Sequence, residues 1–404
     1  MTLLFPTPVV YDGNDARYLR RDGARFLPAL AVRGDRGLKV VLSSGPESPQ
    51  PTSPNLRAGT FADWCDPDFW KAFHADGALC YFGFSARRFL PVVRALRAAG
   101  LRLALKADSS FGLHRFPRHA AVWFRKCYWV ARERHAPPAA LAKAALDMAK
   151  WIRGFPPGDM LPYLESFDAI TVESPLAADN TREWLRRHRC PDLAGRVLFL
   201  PHPVPDDFAF DPLRDTKENR VLAVAADWRN PRKGGAVLGR ALGRFLDAHP
   251  DWRATVVGAR SDLVAAAAPR AAGRIEVLPA LDAEALLPLY RASRLLVTAS
   301  GSESGPIVAF EAFACDCSVV FPPELIQLSW MANSGRGAMA SARTPAALAA
   351  AMERAAGHVP APVAAPPVPP LHASEACALL ARSLATSSPG SRTAAAATNH
   401  DCTE

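Results

Sequence analysis

The sequence lacks most of the features that assign a class at a glance. Its eight cysteines, Cys65, Cys80, Cys127, Cys190, Cys315, Cys317, Cys377 and Cys402, are scattered, and no CxxC pair is present. Cys315 and Cys317 flank only Asp316, with no second ligand pair nearby. Paired ligands at short spacing are what a structural zinc site needs, so no metal is expected. No apolar run approaches the roughly 18–20 residues of a spanning helix. The opening MTLLFPTPVVYDGND has no basic stretch ahead of its short apolar run, so no secretion signal is expected. Reduced thiols and a cytoplasmic location are expected. No fixed-period repeat is visible. Hydrophobic residues make up 49% and charged residues 22% of 404, which excludes a wholly disordered, collagenous or coiled-coil chain.

What is present is alternation. LLFPTPVV, GLKVVLSSG, ALCYFG, LRLALKAD, FDAITVES and RVLFLPHPV read as short buried strands separated by helical stretches. The polar segment 206–219 carries no periodic pattern and reads as a linker. The rhythm then restarts with NRVLAVAAD, WRATVVGA, RIEVLPA, RLLVTAS and CSVVFP. Strand–helix alternation of this kind predicts parallel sheets covered by helices on both faces. The expected division is 1–210, a linker at 211–219, and a second α/β domain at 220–358. Residues 359–370 hold six prolines in twelve and predict an extended spacer. A short helix is expected at 371–386, and a disordered Ser/Thr/Ala tail at 387–404.

The densest chemical signal is SGSESGPIVAFEAFA at 300–314. A strand ends in a Ser/Gly loop and a helix starts near Pro306. Free N–H groups at a helix start suit a phosphate. Glu303 sits where open α/β sheets bind ligands. Glu311 lies among apolar neighbours, and a lone acid there needs a partner, either a structural one or a ligand diol. Upstream, ADWRNPRKGG at 226–235 places Arg229, Arg232 and Lys233 at another strand end. They read either as a phosphate site or as a solvated basic turn.

These segments resemble the donor-binding motifs of retaining glycosyltransferases of the GT-B fold, known as group 1 or family 4. Glu303 and Glu311 keep the family's spacing of seven residues between two glutamates. EAFACDCSVV at 311–320 is similar to the family's Glu-Ala-Met-Ala-Cys-Gly-Thr-Pro-Val-Val. Lys233 matches the family lysine, while Asp227 stands at the family arginine position with Arg229 two residues on. Ser304, Gly305 and Pro306 stand where the family has Gly, Phe and Gly.

The resemblance implies two doubly wound, Rossmann-like parallel-sheet domains facing a cleft, with the Pro-rich stretch as a C-terminal extension. It implies a metal-free, cofactor-free enzyme that moves a sugar from a nucleotide-sugar donor to an acceptor hydroxyl with retention. Glu311 would hold the ribose, Glu303 and Gly305 would face the sugar, and Lys233 with Arg229 would hold the diphosphate. Gly23 is the candidate for the family's Gly-rich loop. Asp108 stands where the family often has a histidine near the reacting centre, with His114 as the other candidate. His202 reads as a structural residue. A catalytically silent GT-B module binding a nucleotide sugar or glycan remains open, as does a nucleotide-sugar epimerase of the same fold.

Net charge is +9, unevenly spread. Residues 112–153 hold nine Lys and Arg against Glu133 and Asp147, a net +7 in 42 residues, with Trp123, Phe124, Tyr128, Trp129 and Trp151 interleaved. Such a stretch reads as a surface for an anionic membrane or an anionic acceptor, or as a solvated face with its aromatics turned inward. Binding of nucleic acid by stacking is disfavoured, since no fold signature accompanies the patch. A glycan or lipid-linked acceptor, met by a cytoplasmic enzyme at the inner membrane face, is the expectation.

Overall fold

A computed structural model of the chain describes residues 1–19, 25–45, 47–107, 112–113, 120–152, 155–357 and 372–385. Gly23, Asp108 and His114, the spacer at 359–370 and the tail at 387–404 lie outside them.

Two sheets organise the chain. The first holds β1 (Thr2–Val10), β2 (Arg36–Leu42), β3 (Leu56–Gly59), β4 (Gly77–Cys80), β5 (Arg102–Ala107), β6 (Ala169–Val172) and β7 (Val197–Phe199). Their order across the sheet is β3-β2-β1-β4-β5-β6-β7. The second holds β8 (Glu218–Asp227), β9 (Arg253–Ala259), β10 (Ile275–Leu278), β11 (Ser293–Val297), β12 (Ser318–Phe321) and β13 (Gly337–Met339). Their order is β10-β9-β8-β11-β12-β13. Strands pair in parallel, as in β1 with β2 and β4, and β8 with β9 and β11. Both are doubly wound α/β sheets, whose order reverses beside β1 and beside β8.

The apolar strand runs follow from burial on both faces. In β8, Val221, Ala223 and Ala225 join a core with Leu238, Leu242 and Phe245 of the helix Gly235–Ala248. Leu222, between them, joins the opposite core with Tyr290, Phe310 and Phe313. Side chains alternate across a strand, so one run feeds two helical layers. Helix starts follow the local chemistry: Asp282 caps Ala283–Ala292, and Ser174 with Pro175 opens Pro175–Arg187.

By contacts the chain forms two compact units. One is Met1–Lys106 with Gly158–Thr171 and Ser374–Glu404; the other is Ala107–Pro157 with Val172–Ala373. The helices Ala120–Ala131 and Pro137–Ile152 therefore belong with the second unit. The helix Ala373–Ala385, from Ser374 on, packs in the first unit, where Arg102 Nη1 donates to the Leu384 carbonyl at 2.8 Å. Among the described residues no helix is long and apolar enough to cross a membrane.

Candidate functional site

In the second sheet the order reverses between β8 and β11, and the loops after these two strands meet. Such a reversal is where an open α/β sheet leaves room for a ligand beyond its carboxyl edge. The loop after β8 carries Arg232 and Lys233; the loop after β11 carries Glu303. Lys233 Nζ lies 2.6 Å from Glu303 Oε1, and Arg232 Nη1 lies 2.9 Å from Oε2. Ser300 Oγ also donates to Oε1, at 2.7 Å. Arg232 Nη1 reaches the Ser302 carbonyl at 2.7 Å as well.

The backbone is built for this approach. Gly234 caps the helix Gly235–Ala248 in the left-handed region, at φ 71°. A Cβ there would come within 2.5 Å of Arg343 Nη2 and 2.6 Å of the Ala299 carbonyl. Glycine is the residue that meets both demands.

A third element closes on the loop. Along the helix Ala120–Ala131 and just past its end, Lys126, Trp129 and Glu133 recur at i, i+3 and i+7, one helical face. Lys126 Nζ donates to the Glu303 main-chain carbonyl at 2.8 Å and to Gln327 Oε1 at 3.3 Å. Trp129 lies on Gly301, where a Cβ would come within 2.3 Å of the indole. Its other neighbour is Arg343, whose guanidinium carbon is 3.8 Å from the ring centroid, a cation–π distance. Glu133 Oε1 accepts from Arg232 Nε at 2.5 Å and from Asn230 Nδ2 at 2.9 Å.

Electrostatics follow from this crowding. Burial pushes the Glu303 carboxyl up, but Lys233 and Arg232 outweigh it and hold it below the usual range. Burial likewise opposes the charge of Arg232, and the carboxylates of Glu303 and Glu133 more than restore it. Lys126 has no such excess. Burial brings its ammonium down to about 7, with Glu303, Cys127 and Glu324 pulling the other way and Arg232 adding to the fall. Burial also lowers Arg343 to about 10.

The other sequence candidates are placed differently. Arg229 is turned onto Asp227, with Nε 3.0 and Nη2 2.6 Å from Oδ2, and its side chain is 65% exposed. The acid at the family arginine position thus holds the nearby arginine, and the cation beside Lys233 is Arg232. Glu311 is buried on the helix Ile307–Ala314, where its Oε2 accepts from the Tyr290 hydroxyl at 2.9 Å. Gly305 faces Glu173 and His202: a Cβ would come within 2.5 Å of Glu173 Oε2 and 3.2 Å of the His202 ring. His202 Nε2 lies 2.7 Å from Glu173 Oε1, both buried. Cys317 is buried, and its thiol faces the carbonyls of Tyr290 and Ser293 at 3.1 and 3.2 Å. Among the described residues no cluster of His, Cys, Asp and Glu could hold a metal ion.

Arg232, Lys126, Trp129, Glu133 and Gln327 had not been singled out as site residues from sequence. Arg232 stood beside Lys233, in a segment that read either as a phosphate site or as a solvated basic turn, but was given no role of its own. Glu133 offered one signal, being one of two acids in the basic 112–153 stretch. The other, Asp147, pairs with Lys143 on its own helix.

Residues 218–358 match the model of the family described as glycosyl transferases group 1, so the chain carries a group 1 glycosyltransferase domain. No curated protein sequence matches the chain. Among solved structures it is similar to a protein from Listeria monocytogenes assigned as a UDP-N-acetylglucosamine 2-epimerase. That match has 14% identity and a TM-score of 0.50, covering 94% of this chain and 95% of that one. It is also similar to a sucrose-phosphate synthase from Thermosynechococcus elongatus (18% identity, 87% and 89% covered, TM-score 0.48). A glycosyltransferase from Rickettsia africae is a third (13% identity, 95% and 93% covered, TM-score 0.49). The two parallel-sheet domains are those of the GT-B fold.

Proposed function

We propose that this group 1 glycosyltransferase moves a sugar from a nucleotide-sugar donor to an acceptor hydroxyl, with retention at the anomeric carbon and without a metal. The observation that carries the reading is the convergence of Lys233 and Arg232 on one partly buried carboxylate at the switch point of the second sheet. Two cations fixed 2.6 and 2.9 Å from the same anion form a ready receptor for a diphosphate.

In the reaction, the bond between the anomeric carbon and the diphosphate oxygen breaks. The nucleoside diphosphate leaves with the electron pair, the acceptor oxygen bonds to the sugar, and the acceptor's proton passes to the departing diphosphate. Lys233 and Arg232 stabilise the charge that grows on the leaving group, the role a divalent cation fills elsewhere. The incoming diphosphate replaces the Glu303 carboxylate on these cations, and Glu303 turns to the sugar hydroxyls. Glu311, set on Tyr290, serves the ribose. Gly305 keeps the loop free of a side chain near the sugar. Gly23 and Asp108 stay in the reading on sequence grounds, Asp108 as the acid near the reacting centre.

The acceptor is a glycan or lipid-linked glycan in surface-glycan assembly, met by a cytoplasmic enzyme at the inner membrane face. Exposed Val130, Leu141 and Leu146, interleaved with exposed Arg134 and Lys143, support contact with an anionic membrane.

The test is turnover. Release of nucleoside diphosphate from a nucleotide sugar, with the anomeric configuration of the product read by NMR, supports the reading. Binding without release in the presence of acceptors contradicts it. That result favours a silent binding module, which the Asp227–Arg229 pair at the family arginine position keeps in view.

A further inference from the structure

We propose that the helix Ala120–Ala131 is part of the donor site, and that Lys126 is a positioning residue: it sets the loop bearing Glu303 and so the contact of Glu303 with the transferred sugar. The inference rests on the role given to Glu303 above.

The geometry is specific. Lys126 clamps the loop from behind, on the main chain of Glu303 and not on its carboxylate. Its second acceptor, Gln327 Oε1, belongs to a side chain that itself donates to the Glu303 carbonyl at 2.8 Å and to the Ser304 carbonyl at 3.3 Å. Two adjacent carbonyls of the loop are therefore held by one ammonium and one amide. The carboxylate on the other side of the same residue is left to the ligand-facing cations. One turn along, Trp129 covers Gly301, and Glu133 holds Arg232. A single helical face thus touches both loops of the switch point.

A lysine is an expensive way to fill this space. Its side chain is 4% exposed, and a methionine or leucine would bury similar volume without desolvating a charge. What an apolar residue cannot do is hold a carbonyl. The charge is also marginal, since burial brings the ammonium to about 7. The groups that act on it are Glu303, Arg232, Glu324 and Cys127, with Glu324 itself paired to Arg125 at 2.7 Å. The clamp is therefore charged below neutral pH and weakened above it, where the neutral amine donates a poorer hydrogen bond, which gives the positioning role a pH signature.

The experiment compares how much the sugar adds to binding. The full chain is titrated by calorimetry with UDP, GDP and ADP, and then with UDP-glucose, UDP-N-acetylglucosamine, GDP-mannose and ADP-glucose. In the parent the preferred nucleotide sugar should bind more tightly than its nucleoside diphosphate at pH 6, and that preference should shrink by pH 9. Lys126→Met should lose about tenfold of the preference, one charge-assisted hydrogen bond's worth, while nucleoside diphosphate affinity stays within about twofold. Lys126→Arg, charged throughout, should keep the preference from pH 6 to pH 9.

Equal preferences in parent and Lys126→Met would overturn the positioning role and leave the donor site standing. A parent that binds no nucleotide overturns both. Should Lys126→Met not fold, the two remaining profiles decide: a pH-independent preference in the parent, or identical profiles for parent and Lys126→Arg, overturns the proposal.

Discussion

Lys126 Nζ lies 2.8 Å from the main-chain oxygen of Glu303, 177 residues further along the chain. This bond joins a helix from the basic 112–153 stretch to the loop that follows β11. It makes part of that stretch an element of the proposed donor site. Trp123 and Lys126 are buried, while Val130 and Leu141 on the same helical pair are exposed. The stretch is thus two-sided, one face set on the loop after β11 and the other on solvent.

The two arginines after β8 should separate cleanly by mutation. Arg232→Ala removes a guanidinium that contacts Glu303 and Glu133. Nucleoside diphosphate affinity should fall by roughly ten- to a hundredfold, the worth of a charged hydrogen bond away from bulk water. Arg229→Ala removes an exposed partner of Asp227 and should change affinity by about twofold or less. Calorimetric titration of both variants checks this order.

Lys126→Met should stabilise the protein in a pH-dependent way. Its folded ammonium sits at about 7, against 10.5 for a free lysine. The unfolded chain therefore binds the extra proton between these values, and burying the charge costs most below pH 7. The cost fades as pH rises toward 10.5. Thermal unfolding should show the variant above the parent at pH 6–7 and the two converging by pH 10.

Glu303 should act in the opposite sense. Its folded pKa is depressed, after burial is outweighed by Lys233 and Arg232. The stability it contributes is present above the ordinary glutamate value of 4.5 and is lost as pH falls through the lower folded value. Glu303→Gln should lower stability at pH 7 by on the order of 1–3 kcal/mol. The acid limb of its stability curve should be flatter than the parent's below pH 4.5.

Gly305 is a steric probe of the loop. Gly305→Ala places a methyl 2.5 Å from Glu173 Oε2, and Glu173 is buried beside His202. Overpacking of this kind costs typically ~1–3 kcal/mol. Chemical denaturation should show that loss, and Glu173→Ala in the same chain should recover part of it.

Much of this was legible because parallel strands buried on both faces read as unbroken apolar runs. NRVLAVAAD became β8, and Asp282 capped its helix as its side chain requires. Lys233 and Glu303 could be picked out because each follows a strand of the motif, and the fold brings those strand ends together. That Arg229 pairs with Asp227, and Arg232 with Glu303, was not legible. It depends on which way a guanidinium turns, and Asp227 settles that only once the loop has its shape. Lys126 and Glu133 were hidden for another reason. Their i, i+3, i+7 spacing with Trp129 marks a helical face, but nothing local says that the face meets loops 99 and 177 residues on.

The most direct measurement is thermal unfolding of the full chain with UDP, GDP and ADP, run beside Lys233→Ala and Arg229→Ala. Ligand at a hundred times its dissociation constant adds about 2.7 kcal/mol of stability. The account expects one nucleotide to raise the unfolding temperature of the parent and of Arg229→Ala, and to leave Lys233→Ala unmoved. An unchanged temperature with every nucleotide, or an equal rise in Lys233→Ala, would contradict it.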